Sequence, residues 1–324
     1  MLLAGDVGGT KTLLGLFTPE HERPEPTVVR QFATLDFESL EAMIAEFLKQ
    51  ARQAHVDAAC FGVAGPVLGD AARLTNVPWT VDAAGIRHRF GIPHASLLND
   101  LQAMACSVPV LRPDELAVLQ EGDAVPDGNA ALIAAGTGLG EALLHNVDGR
   151  FLPAPSEGGH ADFAARTERE IALLRELIRL HGRAQCEMVL SGPGLVNIHR
   201  FLHPRGCPAV RSTDDHEAPA EITEAAMQRR CPQCVDTLDL FVSAYGAAAG
   251  NLALRSLATA GVYIGGGIAP KILPALEQGG FIDAFRAKEP MQDLLAAVPV
   301  KVILNPQAGL LGAAVRAGEM GERS

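Results

Sequence analysis

Two strand–turn–strand units, about 130 residues apart, constrain this chain more than any other feature. The first runs from Leu2 through Gly5, Asp6 and Val7 into Gly8-Gly9-Thr10, then out through Leu13-Leu14-Gly15-Leu16-Phe17. The second runs through residues 131–135 into Gly136-Thr137-Gly138-Leu139-Gly140, then out through residues 141–145. Apolar runs on both sides of a glycine turn read as hairpins. A Walker loop ends in Gly-Lys-Ser/Thr at the start of a helix, and neither turn does so. Glycines let backbone amides approach an anion closely; Thr10 adds a hydroxyl, and Asp6 is placed to hold a hydrated divalent cation. An ordinary hairpin accounts for either turn alone. Their repetition predicts two related halves, both holding phosphate, on one cleft.

A third strand ends in different chemistry. Residues 95–98 are apolar and lead into Asn99-Asp100 and a helix-compatible segment. A carboxylate at a strand mouth can take a proton from a hydroxyl, with Asn99 beside it to donate and accept hydrogen bonds. The plainer reading makes Asp100 only a helix N-cap. Further along, the strand at 261–268 ends in Gly265-Gly266-Gly267-Ile268, a turn against which a flat ring can lie, with Pro270 at a helix start. Apolar spacing predicts helices at 38–51, 167–181, 194–202, 235–258 and 309–317, and strands at 58–64, 71–75 and 300–304. Residues 21–26 and 203–218 read as polar loops, and Trp79 as a packing anchor. This order of elements is an α/β pattern.

With 48% hydrophobic residues in 324, the chain can bury a large core, and 5% aromatic content makes that core mostly aliphatic. A formal net charge of -11 argues against a general nucleic-acid or anionic-membrane surface. Phosphorylated ligands stay compatible, because backbone amides and a metal hold them without many lysines. No apolar run reaches the length of a membrane span, and no signal peptide is legible. Six cysteines are too sparse for a disulfide scaffold, which predicts a reduced, cytoplasmic compartment. Cys231-Pro232-Gln233-Cys234 is one pair without a second pair at zinc spacing, so free thiols are expected.

These motifs, together with Leu74-Thr75-Asn76-Val77-Pro78-Trp79, Ser156-Glu157-Gly158-Gly159-His160-Ala161-Asp162-Phe163, Glu187 before Leu190-Ser191-Gly192-Pro193-Gly194-Leu195, and Gly309-Leu310-Leu311-Gly312-Ala313-Ala314, run nearly end to end. In that order they resemble the bacterial glucokinases of the hexokinase–actin–Hsp70 superfamily. The resemblance implies a two-domain actin-like ATPase (ribonuclease H-like) α/β fold, with mixed sheets flanked by helices and a cleft between domains that sugar binding closes. It implies a small domain of residues 1–108 plus 308–324, and a large domain of 109–307. Asp100 is then the general base for attack of the glucose 6-hydroxyl on the γ-phosphate of ATP. Asn99, Glu157, His160 and Glu187 bind the remaining hydroxyls. Gly5, Asp6, Val7, Gly8, Gly9 and Thr10, with Gly136, Thr137 and Gly138, hold the phosphates. Asp6 orients Mg2+ through water, and Gly265, Gly266 and Gly267 pack against the adenosine. A cytoplasmic homodimer is implied, with no nucleic-acid or membrane partner.

Some residues depart from the family pattern. Lys11-Thr12 follows the first turn, as is common in the related repressor–open-reading-frame–kinase (ROK) sugar kinases, but the Cys-rich zinc motif of that group is missing beside His160. His160 itself has only Glu157 and Asp162 nearby at metal spacing. Glu141 follows the second turn, where an anion opposes phosphate unless it points away. A kinase for another hexose or an N-acetyl amino sugar is the rival enzyme. A sugar sensor without turnover is disfavoured by the intact Asp100 and the lack of a DNA-binding extension before Met1. An acyl-phosphate kinase is disfavoured by the acidic pocket.

Overall fold

The computed structural model describes all residues except His21, Ala54, Thr75, Asn76, His216, Arg323 and Ser324, and of Glu322 only the backbone. The centre of the Leu74–Trp79 motif therefore lies outside the described residues. Contacts divide the chain into two compact units, Met1–Arg112 with Asn305–Ser324, and Pro113–Leu304.

The first unit opens with β1 (Leu2–Val7), β2 (Lys11–Thr18) and β3 (Glu25–Ala33). β1 and β2 pair antiparallel across the Gly8–Thr10 turn, and β3 adds antiparallel to β2. The polar stretch at 21–26 thus already enters a strand at Glu25, because β3 is a partly solvated edge that carries no continuous apolar run. Helix α1 (Leu40–Ala51) is capped by Ser39, whose Oγ accepts the Ala42 N–H at 3.1 Å, and ends with Arg52 in the left-handed region. β4 (Ala58–Val63) is buried at every residue, as a central parallel strand requires. A small antiparallel sheet follows, β5 (Val67–Leu68), β6 (Ala71–Arg73) and β7 (Thr80–Asp82). Asp82 caps α2 (Ala83–Phe90), and Trp79 is buried in the core. β8 (His94–Asn99) then leads directly into α3 (Asp100–Ser107). The main sheet has the order β3-β2-β1-β4-β8.

The second unit contains β9 (Leu116–Gln120), β10 (Ala130–Ala135), β11 (Leu139–Val147) and β12 (Arg150–Ser156), followed by α4 (Glu168–His181) and α5 (Gly192–Leu202). Helix α6 (Ala218–Met227) begins where the sequence pattern ends a loop. Its apolar face is short, Ile222, Ala225 and Ala226, too few repeats to stand out from a loop rich in charge. The 25-residue α7 (Pro232–Ser256) runs through the core, and its Gly246 lies against the backbone of Phe281. β13 (Gly261–Gly265), three short helices α8 (Leu273–Leu276), α9 (Gly280–Arg286) and α10 (Gln292–Ala297), and β14 (Val300–Ile303) complete the unit. The sheet order is β12-β11-β10-β13-β14-β9. Its first five strands repeat the order and the parallel or antiparallel sense of the first unit's sheet. The two hairpins that mark the sequence are the same topological piece used twice.

The last helix, α11 (Ala308–Glu322), returns to the first unit. Its Leu310, Ala313, Ala314 and Ala317 pack on Leu2, Ala4, Phe17 and Cys60, the face of the sheet opposite Leu3, Leu14 and Phe61. Among the described residues no helix is long and apolar enough to cross a membrane.

Candidate active site

In the first unit, β8 carries Asn99 and Asp100 to the end of the sheet. Asn99 is the N-cap of α3: its Oδ1 accepts the Leu101 N–H at 2.9 Å, and Gln102 Oε1 accepts the Asn99 N–H at 3.4 Å. The cap is therefore Asn99, not Asp100. Asp100 is the first helical residue, half-buried, its Oδ1 also 2.9 Å from the Leu101 N. Asn99 Nδ2 donates to the Gly65 carbonyl at 3.4 Å. On β1, burial pushes the Asp6 carboxyl up, against the pull of Lys11. The start of α11 stands beside that carboxylate: a Cβ on Gly309 would lie 3.0 Å from Asp6 Oδ2. The first glycine turn closes with the Gly8 N–H donating to the Lys11 carbonyl at 3.1 Å. Buried Thr34 braces it from β3's end, its hydroxyl donating to the Gly8 carbonyl at 2.8 Å and lying 2.9 Å from Thr12 Oγ1. Gly8, Gly9 and Thr10 reach the surface. Gly5 and Val7 are interior, Gly5 against the Phe61 ring, so they support the turn from below.

In the second unit the other two glycine turns come together. The Gly136 N–H donates to the Gly138 carbonyl at 2.8 Å, and the Gly192 N–H at the start of α5 donates to the Gly136 carbonyl at 2.8 Å. The Ile268 N–H reaches the Ala135 carbonyl at 3.2 Å, which lays the Gly265–Gly267 turn beside the Gly136 turn. Gly266 has φ +83, and a side chain there would overlap the Ala135 carbonyl, so only glycine fits. Gly136, Thr137, Gly267 and Ile268 line a cavity of about 680 Å³, walled on one side by Thr223 and Met227 of α6, with Lys271, Asp215 and Glu224 as charged lining among the described residues. That volume suits a small organic ligand or cofactor. Gly265 is buried in β13, behind the lining residues.

The remaining sequence-predicted residues of this unit share one support. Glu157 precedes and His160 ends a single helical turn, Gly158–His160, and both are exposed. His160 Nδ1 is 2.8 Å from Gln185 Oε1, and its Nε2 is 3.9 Å from Glu157 Oε2. Two residues past Gln185, Glu187 Oε2 accepts the Leu139 N–H at 2.8 Å. A Cβ on Gly138 would sit 2.5 Å from that same oxygen. The segment Gln185–Glu187 thus fixes the imidazole and also the far end of the second glycine turn.

A family model described as Glucokinase matches residues 3–320. The chain belongs to the glucokinase family. A glucokinase of Nostoc punctiforme is 40% identical over 339 residues, covering 99% of this chain and 99% of that protein. The crystal structure of a glucokinase from an Antarctic psychrotroph matches with a TM-score of 0.86 at 29% identity, covering 98% of each chain. A ROK family glucokinase from Streptomyces griseus, solved with glucose and AMPPNP, shares the fold, with a TM-score of 0.66 at 22% identity and coverage of 98% and 99%. As a glucokinase-family member the chain is a hexose kinase, a phosphotransferase acting on an alcohol, on an actin-like α/β fold.

Several long-range contacts of this glucokinase-family chain lie beyond any local sequence pattern. Glu141 does point away from its turn. It is 2% exposed, its Oε2 lies 3.4 Å from Arg255 Nη2 on α7, and it packs beneath Gly158. Burial pushes its carboxyl up, against the pull of Arg255. A lone charge in an apolar strand was the available signal; its partner, 114 residues away in sequence, was not. Thr34, Gln185 and the α6 wall of the cavity carry no local pattern that marks them, since each matters only through a long-range contact.

Proposed function

We propose that this member of the glucokinase family transfers the γ-phosphate of ATP to the 6-hydroxyl of D-glucose. The observation that carries the reading is the Gln185–Glu187 segment, which orients His160 and at the same time seats the glycine turn that lines the 680 Å³ cavity. A polyhydroxyl acceptor and a nucleotide phosphate need that kind of joint positioning, because phosphoryl transfer depends mainly on alignment and charge neutralisation.

In this reading Asp100 accepts the proton of the 6-hydroxyl as its oxygen attacks phosphorus and the bond to ADP breaks. The Leu101 N–H at the amide end of α3 donates to the Asp100 Oδ1 at 2.9 Å and orients the carboxylate. Asn99, Glu157, His160 and Glu187 take the other hydroxyls, each of which is both donor and acceptor. The amides of Gly8, Gly9 and Thr10 and of Gly136, Thr137 and Gly138 hold the phosphates, with Gly5 and Val7 shaping the first turn. The Gly265, Gly266 and Gly267 turn receives the adenosine. Asp6 fits a hydrated Mg2+ as a carboxylate oxygen donor on β1, two residues before the Gly8–Thr10 turn and beside the start of α11. The ion supplies neutralisation of phosphate charge. A small domain of residues 1–108 plus 308–324 carries the base, and the protein works as a cytoplasmic homodimer, which light scattering of the purified chain tests.

The direct test is a coupled assay with ATP and Mg2+ across glucose, mannose, fructose, N-acetylglucosamine and N-acetylmannosamine. Turnover confined to glucose is expected. Preferential turnover of an amino sugar would move the assignment to another hexose kinase, and binding of glucose without turnover would make the chain a sensor.

A further inference from the structure

Three metal-binding side chains with no role in the proposed reaction meet around the ends of α6, and a fourth, Cys231, stands beside them with its Sγ 3.2 Å from Gln233 Oε1. His199 lies near the end of α5 and Cys207 in the loop that follows, while Cys231 and Cys234 open α7. Cys207 Sγ stands 3.4 Å from His199 Nε2 and 3.6 Å from Cys234 Sγ. The ligand atoms of His199, Cys207 and Cys234 all lie within 4.8 Å of one another. Cys231 Sγ neighbours both the Cys207 and the Cys234 thiols. No disulfide joins any of them, and His199, Cys231 and Cys234 are buried.

The spacing separates the possible explanations. A disulfide needs sulfurs about 2.05 Å apart. A tetrahedral zinc with Zn–S near 2.3 Å and Zn–N near 2.0 Å instead sets edges of about 3.8 Å between sulfurs and about 3.6 Å between sulfur and nitrogen. The observed 3.6 and 3.4 Å lie close to those edges. Three soft sulfurs and one imidazole are also the donor set that selects zinc among abundant divalent ions. The open amide end of α7, where Cys231 is the N-cap, favours thiolate at that position.

We propose that His199, Cys207, Cys231 and Cys234 form a closed, structural Cys3His zinc site. The sequence expectation of free thiols at Cys231 and Cys234 rested on the missing second pair. The fold supplies that pair from His199 and Cys207, at the other end of the same segment. Zinc there ties the end of α5 and its following loop to the start of α7. It thereby holds both ends of α6, whose Thr223 and Met227 line the 680 Å³ cavity. All four ligands are protein side chains, so the site has no open position for catalysis.

The test uses the full chain, purified without chelators or a metal-affinity tag. Elemental analysis is expected to find about one zinc per chain, lost in Cys207→Ser and in Cys234→Ser. Because either variant can also lose its fold, the wild-type protein is in addition stripped and loaded with Co2+. Intense thiolate-to-cobalt absorption with the visible bands of tetrahedral cobalt is expected. Protein that carries no zinc as purified, binds none on loading and gives only octahedral cobalt spectra overturns the site. So does a Cys231–Cys234 disulfide in the protein isolated under thiol-blocking conditions.

Discussion

Three carboxylates in this chain sit in three environments, and each environment assigns a different behaviour. Asp100 stands at the start of α3 while its neighbour Asn99 takes the capping bond, so its removal leaves the cap in place. Asp100→Asn is therefore expected to fold normally and keep glucose binding, but to lose about 10²–10⁴ in kcat, the usual worth of a general base. Steady-state kinetics beside glucose titration by calorimetry checks both halves. Asp6 is a desolvated carboxylate whose folded pKa is raised above its ordinary 3.8. The native state then holds that proton more tightly than the unfolded chain, so this group's contribution to stability falls as pH rises from the ordinary aspartate range through the raised folded value. Asp6→Asn removes that slope. Ligand-free, it is expected to melt above wild type at neutral pH, with the gap closing toward pH 4, while kinase activity is lost. Melting curves across pH 4–8 measure it, and an unchanged gap across that range would sink the assignment. Glu141 titrates in the same direction, but Arg255 offsets part of its burial.

Elements position these residues through close backbone approach. Gly312 of α11 sits against the Ala103 carbonyl of α3, where any Cβ would overlap it. Gly312→Ala has to push the two helices apart, and α3 carries Asp100 at its first position. A loss of about 1–3 kcal/mol is expected from this overpacking, together with a lower kcat. Urea unfolding gives the first quantity, and the kinetics of the folded fraction give the second. Glucose kinetics with unchanged kcat would show that the spacing of α11 and α3 does not reach the base. On the other unit, a Cβ on Gly138 would meet the end of the Glu187 side chain at 2.5 Å, so a substitution there displaces the carboxylate and its 2.8 Å bond to Leu139 rather than moving backbone.

For the molecule as a whole, the chain crosses from one unit to the other twice, at Arg112–Pro113 and at Leu304–Asn305. The second crossing returns α11 to cover Leu2, Ala4, Phe17 and Cys60. A chain ending after Leu304 exposes that face and is expected to lose hydrogen-exchange protection across Met1–Arg112. Pro113–Leu304 keeps its own buried core, the larger of the two, and should keep its protection. Peptide-resolved exchange of the truncated and full chains distinguishes this from uniform unfolding.

The hairpin around Gly8–Thr10, its counterpart around Gly136–Gly138, the β8–α3 junction and the three-glycine end of β13 were legible because each is a local pattern. Apolar alternation broken by glycine forces a tight turn, and a polar pair between strand and helix forces a junction. The amphipathic α1 and α4 were equally legible. The sequence could not say that Asn99 takes the cap while Asp100 becomes the first helical residue, because both types cap equally well and only the backbone path chooses between them. Nor could it read the burial of Glu141 beside Arg255, the bracing of Gly8 by Thr34, or the α6 wall of the cavity. The same holds for the meeting of His199 and Cys207 with Cys231 and Cys234. Each joins residues whose spacing along the chain follows no period. Local sterics and hydrophobic periodicity set the pieces, while packing at a distance decided which side chains meet.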